Sequence, residues 1–172
     1  HNAPEVREAA IAGLMKGKNG AGLQRGLQMQ GVSDDVKLRL AKAMTGLPGA
    51  AFVDEGLSYI VVAGSVEESK RAAEALGSRK SVQGLSALVE GLSHPDMGVQ
   101  GAAAAALGQI GDPSGLPPLA EYVQRTQGPS QEAGRNAAVA LLKSLSLDQV
   151  IDFSNNSNVM LRRLALESLG AF

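Results

Sequence analysis

An apolar-periodic helical segment recurs six times in this 172-residue chain. The copies start at Val6, Val36, Glu68, Val99, Ala133 and Leu161, so that successive starts lie 30, 32, 31, 34 and 28 residues apart. Eight residues after each start stands a large apolar side chain: Leu14, Met44, Leu76, Leu107, Leu141 or Leu169. Four residues after each start stands Ala10, Leu40, Ala72, Ala103, Ala137 or Ala165. In the fourth copy Val99, Ala103, Ala106, Leu107 and Ile110 fall at i, i+4, i+7, i+8 and i+11, one stripe of an α-helix. A fixed period of this length, with apolar and small positions repeated, predicts stacked units that each bury an apolar flank against the next. Such an array supplies an extended surface and carries no reaction centre of its own.

A second apolar-periodic stretch lies between consecutive copies. These are Leu23 with Leu27; Phe52, Val53, Leu57, Ile60 and Val61; Val82, Leu85, Leu88, Val89 and Leu92; Leu116, Leu119, Tyr122 and Val123; and Leu147, Val150 and Ile151. Each unit therefore reads as a helical hairpin, and strict strand-like alternation is found nowhere. The joints carry turn chemistry. Gly111-Asp112-Pro113 ends one helix at glycine and bars its continuation with proline, and Ser114 is placed to cap the helix that follows, whose first turn tolerates Pro117 and Pro118. Ser93-His94-Pro95-Asp96 and Gly128-Pro129-Ser130 break the chain before the fourth and fifth copies. Ser33-Asp34-Asp35 puts acceptors and negative charge at the start of the second copy. Ser65, with Glu68 three residues on, reads as a capping box.

Composition agrees with layered helices. Hydrophobic residues make up 44% of the chain but aromatics only 3%, so the core must be built from Leu, Val, Ile and Ala. Small side chains let helices approach closely. Net charge is −1, which provides no global field to attract nucleic acid or an anionic membrane. Cysteine is absent, removing disulfides, thiolate metal sites and Cys nucleophiles, while leaving the compartment open. No apolar run reaches the roughly 18 residues of a membrane span.

The stretch His94-Pro-Asp-Met-Gly-Val-Gln-Gly-Ala-Ala-Ala-Ala-Ala-Leu-Gly-Gln-Ile-Gly-Asp-Pro113 resembles the HEAT-type repeat, in particular the short variety also found in phycobilin lyases. Asn2-Ala-Pro-Glu-Val-Arg-Glu-Ala-Ala-Ile11 and Val159-Met-Leu-Arg-Arg-Leu-Ala-Leu-Glu-Ser-Leu-Gly170 resemble its second helix. The resemblance implies an all-α, right-handed superhelical solenoid of about five and a half helical hairpins, with the second helices lining the concave side. Leu40 departs from the pattern at a small position, and Glu68 does so at the head of copy three. Of the residues just after each start, only Arg7, Lys37 and Arg162 match the family's basic residue, so copies three and five are expected to be distorted. Residues 1–172 read as one domain. Because the chain opens and closes on second-type helices without polar capping repeats, a piece of a longer protein is expected, or an apolar end face covered by another chain.

Chemistry-bearing motifs are few. His94 shares its turn with Asp96, an arrangement open to general-base work but better explained as an exposed turn. No metal-ligand spacing is present. Gly17-Lys18-Asn19-Gly20-Ala21-Gly22 resembles a phosphate-binding loop, yet a helix precedes it and Asn19 stands where Ser or Thr is needed, so a connector is expected. A more interesting row lies two to three residues after the starts: Arg39, Lys70, Arg71, Arg135 and Arg163. Stacking sets equivalent positions into a column spaced ~10 Å apart, able to attract an acidic peptide or phosphates. The alternative is a set of solvated charges balanced by Glu8, Glu74 and Glu167. The Gly101–Ala106 run interrupts the column with a smooth patch, suited to tight packing or to seating a partner's helix. Tyr59 is the candidate surface aromatic, whereas Phe52, Tyr122 and Phe153 fit the core stripe.

The expected function is a non-catalytic protein–protein interaction scaffold binding another protein or peptide, acidic in character, on the concave face. No cofactor, metal or nucleic acid is expected. The resemblance implies two alternatives: a chromophore-handling protein like the phycobilin lyases, and a nucleic-acid-binding protein like the HEAT-type alkylation-repair glycosylases. The first needs pocket aromatics, and the second a strongly basic groove.

Overall fold

The computed structural model describes residues 4–170, with side chains from Ala9 onward. His1 and Phe172, and the side chains of Val6, Arg7 and Glu8, lie outside the described residues. The chain forms α1 (Pro4–Lys16), α2 (Gly20–Gln28), α3 (Asp34–Met44), α4 (Ala50–Ala63), α5 (Val66–Ser78), α6 (Leu85–Gly91), α7 (Met97–Ile110), α8 (Leu116–Arg125), α9 (Gly128–Lys143), α10 (Leu147–Ser154) and α11 (Val159–Leu169). Single 3-10 turns at Val82–Gly84 and Pro113–Gly115 lead into α6 and α8. No strand occurs among the described residues. The six copies are the odd-numbered helices and the intervening stretches are the even-numbered ones, so the architecture is the expected all-α solenoid of hairpins.

Local chemistry accounts for where the helices begin. Asn19, Asp96 and Asn158 each accept backbone N–H bonds at the start of α2, α7 and α11. Ser65–Glu68 forms the expected capping box of α5, and Ser146–Gln149 forms another at α10. Gly111 closes α7 with φ 75°, a left-handed turn that favours glycine. One assignment changes. Ser114 does not cap α8; it sits inside the 3-10 turn, where Asp112 accepts from both its backbone N–H and its hydroxyl. Asp112 reaches those donors first because Pro113, which has no N–H, starts the turn immediately after it.

The core runs the length of the array as one cluster of Leu, Val, Ile and Ala, with Tyr122 as its largest fully buried side chain. Each leucine buried to this extent contributes roughly 1.5–3 kcal/mol. Phe52 and Phe153 pack on its margin. Buried Asp54 of α4 is held by the Arg79 guanidinium at the end of α5, 2.6 Å away. That contact compensates a carboxylate that would be costly to bury alone.

The most extensive helix–helix contacts are those of α7 with α5 and with α9. Two glycines nine residues after a copy start make them possible. A Cβ on Gly77 would lie 2.8 Å from Ala106 Cα, and one on Gly108 would lie 2.8 Å from the Ala137 carbonyl oxygen. Backbone thus meets backbone across both seams. At the same register Thr45 follows the last residue of α3 and α9 carries Leu142. There the stack loosens: α3 scarcely touches α5 and packs on α4, while α11 divides its contacts among α8, α9 and α10. Copies three and five, expected to be distorted, instead flank α7 in the closest part of the array. Their departures fall at helix starts, whereas the closeness is set by glycine near the helix ends.

Five residues after the start, Ala41, Ala73, Ala104 and Ala138 are all 0% exposed. Leu166 occupies that register in α11 and is 59% exposed.

Gly108→Val should lower folding stability by about 1–3 kcal/mol, because its side chain must push α9 away. Gly101 is also in the interior of α7, but a Cβ there meets nothing within 4 Å. Gly101→Ala should therefore raise stability by about 0.5–1 kcal/mol. Urea denaturation of the two variants against the parent chain measures both.

Candidate binding face

The odd-numbered helices carry the basic row, and each member is placed by helix register. Arg39 is exposed on α3. Lys70 and Arg71 lie side by side on α5, and both reach back one turn to Glu67, at 3.8 and 3.2 Å. Arg135 of α9 and Arg163 of α11 converge on one oxygen of Glu167, at 2.8 and 3.4 Å. The structure therefore gathers four of the five cations into two clusters, each with two cations around one carboxylate. Glu167 serves as the balancing charge its position suggests. On α5 that part falls to Glu67, not Glu74, and Glu8 lies outside the described side chains. Glu67 precedes Arg71 by four residues, a spacing that marks a helical ion pair in the sequence itself.

Two clefts open along this face at the loosened seams. The larger, about 600 Å³, lies between α9 and α11; Arg135, Arg163, Glu132 and Glu167 line it over an apolar floor of Val123, Met160 and Leu164. The smaller, about 220 Å³, lies between α3 and α5, with Leu57, Ile60 and Ala72 beneath Lys42, Glu68 and Arg71. Lys42 and Glu68 span its mouth at 2.6 Å, an ion pair no local pattern in the sequence reveals. Glu68 also accepts the backbone N–H of Ser65 at 3.1 Å. The Lys42 contact and the Ser65 bonds hold its carboxyl down at about 2, against an ordinary 4.5.

The remaining candidates are structural in setting. Tyr59 is half-buried against the core, and burial, followed by the charge of Asp34, pushes its phenol upward. Ala103, Ala104 and Ala106 of the alanine run are buried, which gives that half of it to packing, while Ala105 is exposed and Gly101 and Ala102 are half-buried. His94 Nδ1 accepts the Asp96 N–H at 3.0 Å, which fixes the turn ahead of α7. The glycine-rich segment after α1 is a connector, with Asn19 accepting from Gly22 N–H. Arg125 lies 5.7 Å from the centroid of the Tyr122 ring and donates to the Leu92 carbonyl at 2.6 Å, tying α8 to the preceding repeat.

Among the described residues no group of three or more His, Asp or Glu is arranged to hold a metal ion. None of the described helices is long and apolar enough to cross a membrane. The family model described as HEAT repeats matches residues 56–143, from within α4 to the end of α9. No curated protein matches the chain.

Because the Glu68 carboxyl is held below its ordinary value, its ionised form stabilises the fold. That contribution is full above pH 4.5 and is lost as the pH falls toward about 2. Lys42→Met should move the Glu68 titration upward toward 4.5 and so shrink the stability lost between pH 4.5 and 2; carboxyl-carbon NMR titration reads the first and acid denaturation the second.

Proposed function

We propose that this chain, which belongs to the HEAT repeat family, is a non-catalytic interaction module that takes an acidic peptide or protein segment along its odd-numbered helices. HEAT repeats are in general protein-interaction scaffolds. The observation that carries the acidic preference is the pairing ratio. Lys70 and Arg71 share Glu67, which leaves that cluster a surplus positive charge although the chain as a whole is at −1; Arg135 and Arg163 likewise share the single carboxylate of Glu167, and Glu132 at the edge of the same cleft balances the second of them. The surplus attracts carboxylates locally, while the net charge of −1 provides no overall field toward a nucleic-acid backbone.

The mechanism is shape with modest charge complementarity over several repeats. Exposed ion pairs contribute only about 0–1 kcal/mol each, so affinity has to accumulate along the row. In the family's usual arrangement these second helices form the concave side, which lets an extended partner touch several repeats at once.

Reversing Arg71 and Arg135 together to glutamate should weaken binding of a fluorescent glutamate-rich peptide by about tenfold or more, and the parent affinity should fall as salt shortens the Debye length below ~10 Å. Fluorescence anisotropy measures both effects. Unchanged binding in the double reversal would remove the basic row from the account. Salt-dependent binding to duplex DNA, tested alongside, would favour a nucleic-acid partner instead.

A further inference from the structure

We infer that the cleft between α9 and α11 is the partner's anchor point, and that Glu167 fills from within the place of a partner's carboxylate. The inference rests on the acidic-partner reading above and makes it specific to one site. Its geometry begins with Leu142, which stands where α5 and α7 carry Gly77 and Gly108. The α9–α11 seam does not close as the α5–α7 and α7–α9 seams do, and the cleft lies along it. Arg135 and Arg163 approach each other across it. Like charges on facing helices repel, so their meeting depends on the anion between them.

That anion is already a carboxylate, gripped through one oxygen. Arg135 contributes Nη2 at 2.8 Å and Arg163 contributes Nε at 3.4 Å. A guanidinium presents five N–H donors in a planar fork suited to a two-oxygen grip. Each fork has more donors than these two contacts to one Glu167 oxygen engage. Glu167 reaches Arg163 from one turn along the same helix, which restricts its approach. A carboxylate arriving from outside is free of that tether and engages both forks more fully, displacing Glu167 into solvent.

The floor fixes the rest of the ligand. Val123 and Leu164 are buried, and Met160 is half-buried and adaptable. An apolar side chain next to the incoming carboxylate therefore finds a seat, and the ligand class is an Asp or Glu beside an aliphatic residue. Glu132, also lining the cleft, sets a limit by repelling a second negative charge placed close to the first.

The test uses the whole chain and a fluorescent peptide repeating Glu-Leu-Ser-Ala, whose carboxylates stand four residues apart, read by anisotropy. Glu167→Gln removes the internal competitor and should tighten binding by about threefold or more, a gain misfolding does not produce. Arg163→Gln should weaken binding by about tenfold, the scale of one lost charge-assisted contact. A peptide with Asn in place of Leu should bind the parent chain more weakly. If the parent binds but Glu167→Gln and Arg163→Gln both match it, the anchor is elsewhere and only this inference falls; Arg71→Gln then shows whether the row still acts. If the parent chain binds no acidic peptide, the acidic-partner reading fails and takes the anchor with it.

Discussion

The constraint on which the rest of the structure depends is the approach of α7 to α5 and α9 at backbone distance. With glycine at 77 and 108 and alanine facing them, no side chain separates the helices. Dispersion contacts are then made by main chain as well as side chain, at a density larger residues would prevent. The low aromatic content follows from the same requirement. So does the location of the clefts: where Thr45 or Leu142 takes the glycine register, the seam widens and side chains with charge gather at its mouth. The candidate binding surface is in this sense a by-product of packing register.

Charge arrangement adds a second layer. The bridges Lys42–Glu68 and Arg135–Glu167 each cross a loose seam. Between the closely packed helices, small residues already supply the contact. Exposed pairs of this kind stabilise little by themselves. Their placement across the openings matters more, because it decides which ions a visitor meets first.

Much of this architecture was legible in the sequence. The period placed all six odd-numbered helices, and the intervening apolar stretches placed the even-numbered ones. The Ser65–Glu68 capping box and the glycine stop at Gly111 followed from rules that act within a few residues. What escaped was non-local or competitive. Asp54–Arg79 and Lys42–Glu68 join residues about one repeat apart in the chain, beyond any helical spacing. Asp112 and Ser114 both had capping chemistry, and the proline between them decided which one served. Tyr59 sits on the side of α4 that meets the core, where apolar periodicity cannot distinguish a margin position from an outward one. The pairing of the basic row was half visible, through Glu67 and Arg71 four residues apart, and half hidden, because Arg135 and Glu167 meet only once the repeats have stacked.

Leu166 has a geometric consequence of its own. In α3, α5, α7 and α9 its counterparts are methyl groups, flush with the helix and hidden. From α11 an isobutyl group projects at that point. Any surface laid against this flank rests on a spacer those four helices lack. It stands off from the helix axis by the height of a branched side chain, or else carries a dimple to receive one.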